Sequence, residues 1–201
     1  MTCSSSLSAS SRRSNAIRQS AAFKRESTSS GIKLLSKIFI FTIITSSCSL
    51  FSDEVHLTEG QASPNFTLQD QDGKEHTLSS YQGKKVVIYF YPKDDTPGCT
   101  KEACGIRDAY DDFVNQDIVV FGISYDSAEA HQGFIKKYNL PFNLLSDSDK
   151  SISKLYGTAG TFFPMRKTFL IDENGMIKKI YSKVSVVGHG HEILRDFSIS
   201  K

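Results

Sequence analysis

Cys99 and Cys104 lie five residues apart in the run Tyr89-Phe-Tyr-Pro-Lys-Asp-Asp-Thr-Pro-Gly-Cys-Thr-Lys-Glu-Ala-Cys104, directly after the apolar segment Val86 to Tyr91. A strand that ends in a Pro/Asp/Gly loop and then presents a cysteine at a helix start suits thiol chemistry. The thiolate is the reactive form of cysteine, and a helix N-terminus favours it through its dipole and unpaired N–H groups. By count alone, two cysteines in an exported domain read as a structural bridge. Helix geometry opposes this, because residues five apart differ by about 7.5 Å of rise and about 140° of rotation, placing their Cα atoms roughly 8 to 9 Å apart. A disulfide spans no more than about 7 Å. If both residues are helical, the bond closes only after the first turn or two unwinds, which describes a switch. Zinc needs further ligands in a spacing that is not present.

A thiolate that attacks a peroxide O–O bond becomes a sulfenic acid, and a second thiol condenses with that acid to give a disulfide. Such a site needs donors to the sulfur, donors to the peroxide oxygens and a shield against water. Lowering a cysteine pKa from ~8.5 to ~6 corresponds to about 3.4 kcal/mol. A helix N-terminus supplies about 1 kcal/mol of this, so a nearby cation and direct hydrogen bonds are also required.

The elements that must hold these thiols follow from periodicity. Phe66 to Gln69 and Glu75 to Leu78 flank Asp70-Gln-Asp-Gly73 and predict a hairpin. Lys84 to Tyr91 and Asp117 to Ser124 are continuous apolar runs, as expected of strands buried on both faces. Thr100 to Asn115 predicts one helix, with Ala103, Ile106, Tyr110 and Phe113 on its apolar face. Ser127 to Tyr138 predicts a second, with Ala130, Phe134 and Tyr138 sharing a face. Then come a short strand over Phe142 to Leu145 and a short helix over Asp149 to Tyr156. A hairpin of Thr168 to Asp172 and Met176 to Tyr181 turns at Asn174-Gly175, and a last helix covers Gly190 to Phe197. This order implies an α/β fold with a central sheet, a βαβ portion joined to an antiparallel hairpin.

Pro92-Lys-Asp-Asp-Thr96-Pro-Gly-Cys99 resembles the Pro-x-x-x-Thr-x-x-Cys signature of the peroxiredoxins. Cys104, at plus five, is similar to the second cysteine of the subgroup called bacterioferritin comigratory protein or peroxiredoxin Q. The resemblance extends over about 56 to 200, through Leu57-Thr-Glu-Gly-Gln-Ala-Ser-Pro-Asn-Phe-Thr-Leu, Leu144-Leu-Ser-Asp and Arg166-Lys-Thr-Phe-Leu-Ile-Asp172. It implies a thioredoxin-like fold, Cys99 as peroxidatic nucleophile and Cys104 as resolving thiol. Thr96 would hydrogen-bond at the peroxide and thiolate, Pro92 would screen the pocket, and Arg166 would set its guanidinium beside the sulfur. Backbone N–H groups of Gly98 and Cys99 would complete the cradle. The implied reaction is reduction of hydrogen peroxide and organic hydroperoxides, recycled by a thioredoxin-like dithiol, with no metal or other cofactor and a monomeric catalytic unit. The segment Gly157 to Met165 departs from the family loop. Lys93, Asp94 and Asp95 are expected as solvated loop charges, Glu102 as a residue ordering the first helical turn, and His189 and His191 as loop and capping residues.

The 201 residues contain 24 basic and 22 acidic side chains, unevenly spread. Residues 1 to 51 hold seven of the basic residues and one acid, Glu26. The remaining domain, 52–201, is mildly acidic, which gives no electrostatic case for nucleic acid. The first 31 residues are rich in Ser and Arg, and the apolar stretch Ile38 to Ile44 suits a signal-peptide core too short to span a bilayer. The expectation is a targeting leader over 1–51 that sends the domain to a bacterial periplasm or, through Cys48 as a lipidation site, to a membrane. A plastid or other organelle and the cytoplasm are the alternatives. Rival activities are a thioredoxin-like disulfide oxidoreductase or electron carrier, which normally uses Cys-x-x-Cys, and a secreted binding protein with a structural bridge.

Overall fold

The computed structural model describes residues 55–199. The leader expected over 1–51, with Ile38 to Ile44 and Cys48, lies outside the described residues. The hairpin β1 (Thr67–Gln69) and β2 (Glu75–Thr77) is antiparallel and leads through a 3-10 turn, Leu78–Tyr81, into β3 (Lys85–Phe90). There follow α1 (Pro97–Asp108), α2 (Tyr110–Asn115), β4 (Ile118–Ser124), α3 (Ala128–Tyr138), β5 (Asn143–Ser146) and α4 (Ser151–Leu155). The chain closes with β6 (Lys167–Ile171), β7 (Ile177–Tyr181) and α5 (His189–Ser198).

The central sheet has the order β5-β4-β3-β6-β7. The pairs β3/β4 and β4/β5 are parallel, whereas β3/β6 and β6/β7 are antiparallel. This is the mixed sheet expected from the order of elements, with β3 at its centre. Alternation along β3 divides the core in two. Val87, Tyr89 and Tyr91 pack with Cys99, Ile106, Phe113, Phe134, Ile193 and Phe197 from α1, α2, α3 and α5. Val86, Ile88 and Phe90 pack with Phe66 just ahead of β1, Leu78 of the 3-10 turn, Ile152 of α4 and Tyr156 at its C-terminal cap.

Three expectations need correction. The helix expected over Thr100 to Asn115 is two, because Ala109 leaves helical geometry (φ −102°, ψ 9°) and α2 starts afresh. On α3 the buried face carries His131 and Phe134, while Ala130 is exposed. The helix expected from Asp149 begins only at Ser151, where the buried Asp147 carboxylate accepts the Ile152 and Ser153 N–H groups at 3.1 and 2.7 Å.

Two glycines allow close approaches. A Cβ on Gly122 would fall 2.6 Å from the Tyr89 ring, so the absence of a side chain on β4 makes room for that ring. Where α1 meets α5, a Cβ on Gly190 would lie 2.6 Å from the Gly105 carbonyl oxygen and 3.2 Å from Ala109 Cβ. The two backbones therefore touch directly, one residue beyond Cys104.

Candidate active site

The site lies past the C-terminal end of β3, the middle strand, where the chain turns into α1. Asp95 holds a left-handed backbone (φ 55°), and its carboxylate accepts from Lys137 Nζ at 2.6 Å and from the Tyr138 hydroxyl at 2.6 Å. Thr96 then takes an extended conformation (φ −90°, ψ 151°), as a residue before proline prefers, and Pro97 opens the helix. Thr96 does not cap α1 with its side chain; its hydroxyl donates to the Lys93 carbonyl at 3.0 Å. Its own carbonyl accepts the Thr100 N–H at 2.8 Å. In a first turn the N–H groups of Gly98 and Cys99 have no intrahelical acceptor, so the helix start is donor-rich.

Cys99, third in α1, is 2% exposed. Arg166, immediately before β6, donates from Nη2 to the Cys99 sulfur at 3.1 Å. A Cβ on Gly98 would lie 3.4 Å from that same nitrogen, which shows how closely the guanidinium covers the first turn. Cys104 is partly exposed on the same helix, and both thiols are free. Pro92 is half-buried at the strand end. Of the five residues expected at the site, Cys99 and Arg166 are in direct contact. Thr96 and Pro92 frame the loop ahead of them, and Cys104 stands one and a half turns away.

Glu102, expected only to order the first turn, occupies a stronger place. It is fully buried and pairs with Arg166 Nη1, while its Oε1 has no hydrogen-bond partner among the described residues. Burial pushes its carboxyl up to about 7, with the Arg166 charge pulling the other way. Burial likewise disfavours the Arg166 charge, but Glu102 and Cys99 more than offset it, and its pKa ends above the ordinary value. Tyr89 is buried behind the pair, and burial, together with Glu102, Asp94 and Cys99, drives its hydroxyl well above the usual range.

Asp94 is not a solvated charge. Its side chain is 7% exposed and pairs with His131 on α3. His189 is not a cap either: Gly188 occupies that position, and the His189 ring is buried, with Nε2 2.9 Å from the Thr168 hydroxyl. His191 is exposed. The only sequence signal for Glu102 is its spacing of three from Cys99, which puts both on one helix face. Near the site, the departing segment before Arg166 exposes Phe162, Phe163 and Met165.

Comparison with known proteins bears on this geometry. The pattern of the AhpC/TSA family matches residues 60–180. A Coxiella burnetii protein named as a peroxiredoxin bcp is 50% identical over 143 residues, covering 67% of this chain and 95% of its own. A chloroplastic peroxiredoxin Q of Oryza sativa subsp. japonica is 48% identical over 129 residues, covering 63% of this chain and 59% of its own length. Among solved structures, a cysteine-to-serine variant of Xylella fastidiosa peroxiredoxin Q superposes with a TM-score of 0.68 at 31% identity, over 71% of this chain and 96% of that one. The thioredoxin-like fold expected from the resemblance is therefore the fold of the described residues. With a matching family pattern over most of the domain and a half-identical relative aligned across nearly its whole length, the chain belongs to the AhpC/TSA family, among the peroxiredoxins of the Q and bcp kind.

Proposed function

We propose that this thiol-dependent peroxidase works through Cys99 as the attacking thiolate and Cys104 as the resolving thiol. The observation that carries the reading is the contact of Arg166 Nη2 with the Cys99 sulfur at 3.1 Å. A fixed, planar cation beside a buried sulfur at a helix start is the setting a nucleophilic thiolate requires. The sulfur attacks one peroxide oxygen, the O–O bond breaks, and both bonding electrons leave with the second oxygen as water or an alcohol after protonation. Arg166 stabilises charge on that leaving oxygen, and the Gly98 and Cys99 N–H groups add donors where the charge develops. The Thr96 hydroxyl, its hydrogen committed to Lys93, offers lone pairs to the peroxide O–H. Pro92 limits the approach of water.

Cys99 is now a sulfenic acid. Cys104 attacks it, an S–S bond forms and water leaves, which requires α1 to unwind locally. An external dithiol of the thioredoxin class then reduces the disulfide. Substrates in this reading are hydrogen peroxide and organic hydroperoxides, no cofactor takes part, and the catalytic unit is a monomer. Residues 1–51 act as a targeting leader, with export or an organelle as its destination; the mass of the mature N-terminus tests this.

The test of the site is single-turnover mixing of reduced protein with stoichiometric peroxide. Consumption much faster than by free cysteine, lost in Cys99→Ser and halted at the sulfenic acid in Cys104→Ser, is the expected result. Slow consumption that persists in Cys99→Ser overturns it.

A further inference from the structure

The loop between β3 and α1 is tied to α3 by a buried network that the reaction itself does not use. Asp94 Oδ1 accepts from the Tyr91 hydroxyl at 2.7 Å, and Oδ2 accepts from His131 Nδ1 at 2.7 Å. The Asp94 N–H donates to Asp126 Oδ2 at 2.9 Å, and the same oxygen takes the Ser124 hydroxyl at 2.8 Å. His131 is fully buried on α3, and its Nε2 has no hydrogen-bond partner among the described residues. A ring nitrogen left bare in the interior is costly, so the ring is held there by what Nδ1 does. The Tyr91 ring also lies against that of Tyr89, at 5.3 Å between centroids. Tyr89 in turn lies behind Cys99 and Arg166.

The network grips the loop at the residue following Lys93, whose carbonyl takes the Thr96 hydroxyl. We propose that Asp94 and His131 are positioning residues for the peroxide step. The buried pair locks the Pro92–Thr96 loop to α3 and thereby fixes the Thr96 hydroxyl, held on Lys93, at the head of α1. It has no part in capture by Cys104, which depends on α1 letting go on the other side of Thr96. This inference rests on the reading of Cys99 as the nucleophile.

The fold carries its own control. In the β1/β2 region the same three residue types form a second buried network, with His76 Nε2 2.7 Å from Asp70 Oδ2 and Nδ1 2.6 Å from the Tyr81 hydroxyl. It lies against the opposite core cluster, with Phe121 beside His76.

The experiment measures second-order oxidation of Cys99 by hydrogen peroxide in a Cys104→Ser background, by quenching and mass spectrometry. The rate of disulfide closure is measured separately with Cys104 present. His131→Leu, which removes the donor at similar volume, is expected to slow oxidation at least tenfold. His131→Asn, whose amide nitrogen falls near the Nδ1 position, is expected to restore it to within threefold, and closure is expected to stay within threefold in both. His76→Leu is expected to leave oxidation within threefold. If His131→Leu does not fold, Tyr91→Phe and Asp94→Asn replace it with the same expectation of slower oxidation and unchanged closure. Oxidation at the unaltered rate in these variants overturns the proposal, as does equal slowing by His76→Leu. Absence of Cys99 oxidation in the chain with His131 intact overturns the reading of Cys99, and the positioning role falls with it.

Discussion

Cys99 and Glu102 lie three residues apart on one face of α1, and the guanidinium of Arg166 holds both, the sulfur through Nη2 and the carboxylate through Nη1. A side chain anchored at one nitrogen is pre-aimed with the other, so little ordering remains to be done when substrate arrives. Replacing Arg166 by Met is expected to slow Cys99 oxidation about 100- to 1000-fold, or about 2.7–4 kcal/mol, the range for losing an aimed donor at developing charge. Arg166→Lys keeps a charge but loses the fork and should fall between Met and Arg. Single-turnover rates with hydrogen peroxide check both.

Glu102 gives stability a pH dependence. Its folded value of about 7 lies above the ordinary 4.5, so the fold prefers the protonated carboxyl. The stability this lends is complete below about 4.5 and is lost as pH rises through about 7. Glu102→Gln has no such proton to lose. The unaltered chain should therefore weaken relative to Glu102→Gln between about pH 5 and pH 8, by roughly 1–3 kcal/mol, as read from urea unfolding at each pH. A constant difference across that window would show that burial does not hold the proton on Glu102.

Closure of a bond between Cys99 and Cys104 cannot leave α1 intact, since its geometry separates the two Cα atoms by roughly 8 to 9 Å. The amides of Thr100 to Cys104, the first of which donates to the Thr96 carbonyl, should be protected in the reduced protein and should exchange faster after one equivalent of peroxide. In Cys104→Ser the same treatment should leave them protected. Unchanged protection in the disulfide form would mean that the thiols meet by some route other than unwinding.

Gly122 sits under the Tyr89 ring, with Leu144 Cδ2 2.7 Å from where a Cβ would be. Gly122→Ala should cost about 1–3 kcal/mol by overpacking, measured as a lowered urea midpoint. The displaced ring is the one behind Cys99, so a slower peroxide step is expected to accompany the loss.

Residue types and spacing point to Cys99, Cys104 and Arg166 as candidates, and of these the structure brings Cys99 and Arg166 into contact. The Thr96-Pro97-Gly98-Cys99 run announces a helix start, and Arg166 opens an apolar strand whose register against β3 brings it to the same end of the sheet. Glu102, Asp94 and His131 were not legible in this way. Charged residues are exposed by default, and nothing local marks one that a partner 64 or 37 positions away has drawn inside. The helix break at Ala109 was equally hidden, because it carries neither glycine nor proline and the apolar spacing runs straight through it. On α3, Phe134 and Tyr138 lie on the expected face, and only Ala130 gives way to His131, because a histidine, unlike an alanine, carries no local sign of being interior.

The contact of Gly105 with Gly190 sets how much slack the chain has. With backbone resting on backbone one residue past Cys104, the rest of α1 is moored to α5, and only the stretch ahead of the mooring is free to pay out. In the proposed cycle, the excursion that would join the two sulfurs is thus confined to a few residues, and the remainder of the domain would stay as the mould into which they return. On that reading, reduction would reset the helix without refolding the protein, and a turnover would cost the fold one short, repeatable fray.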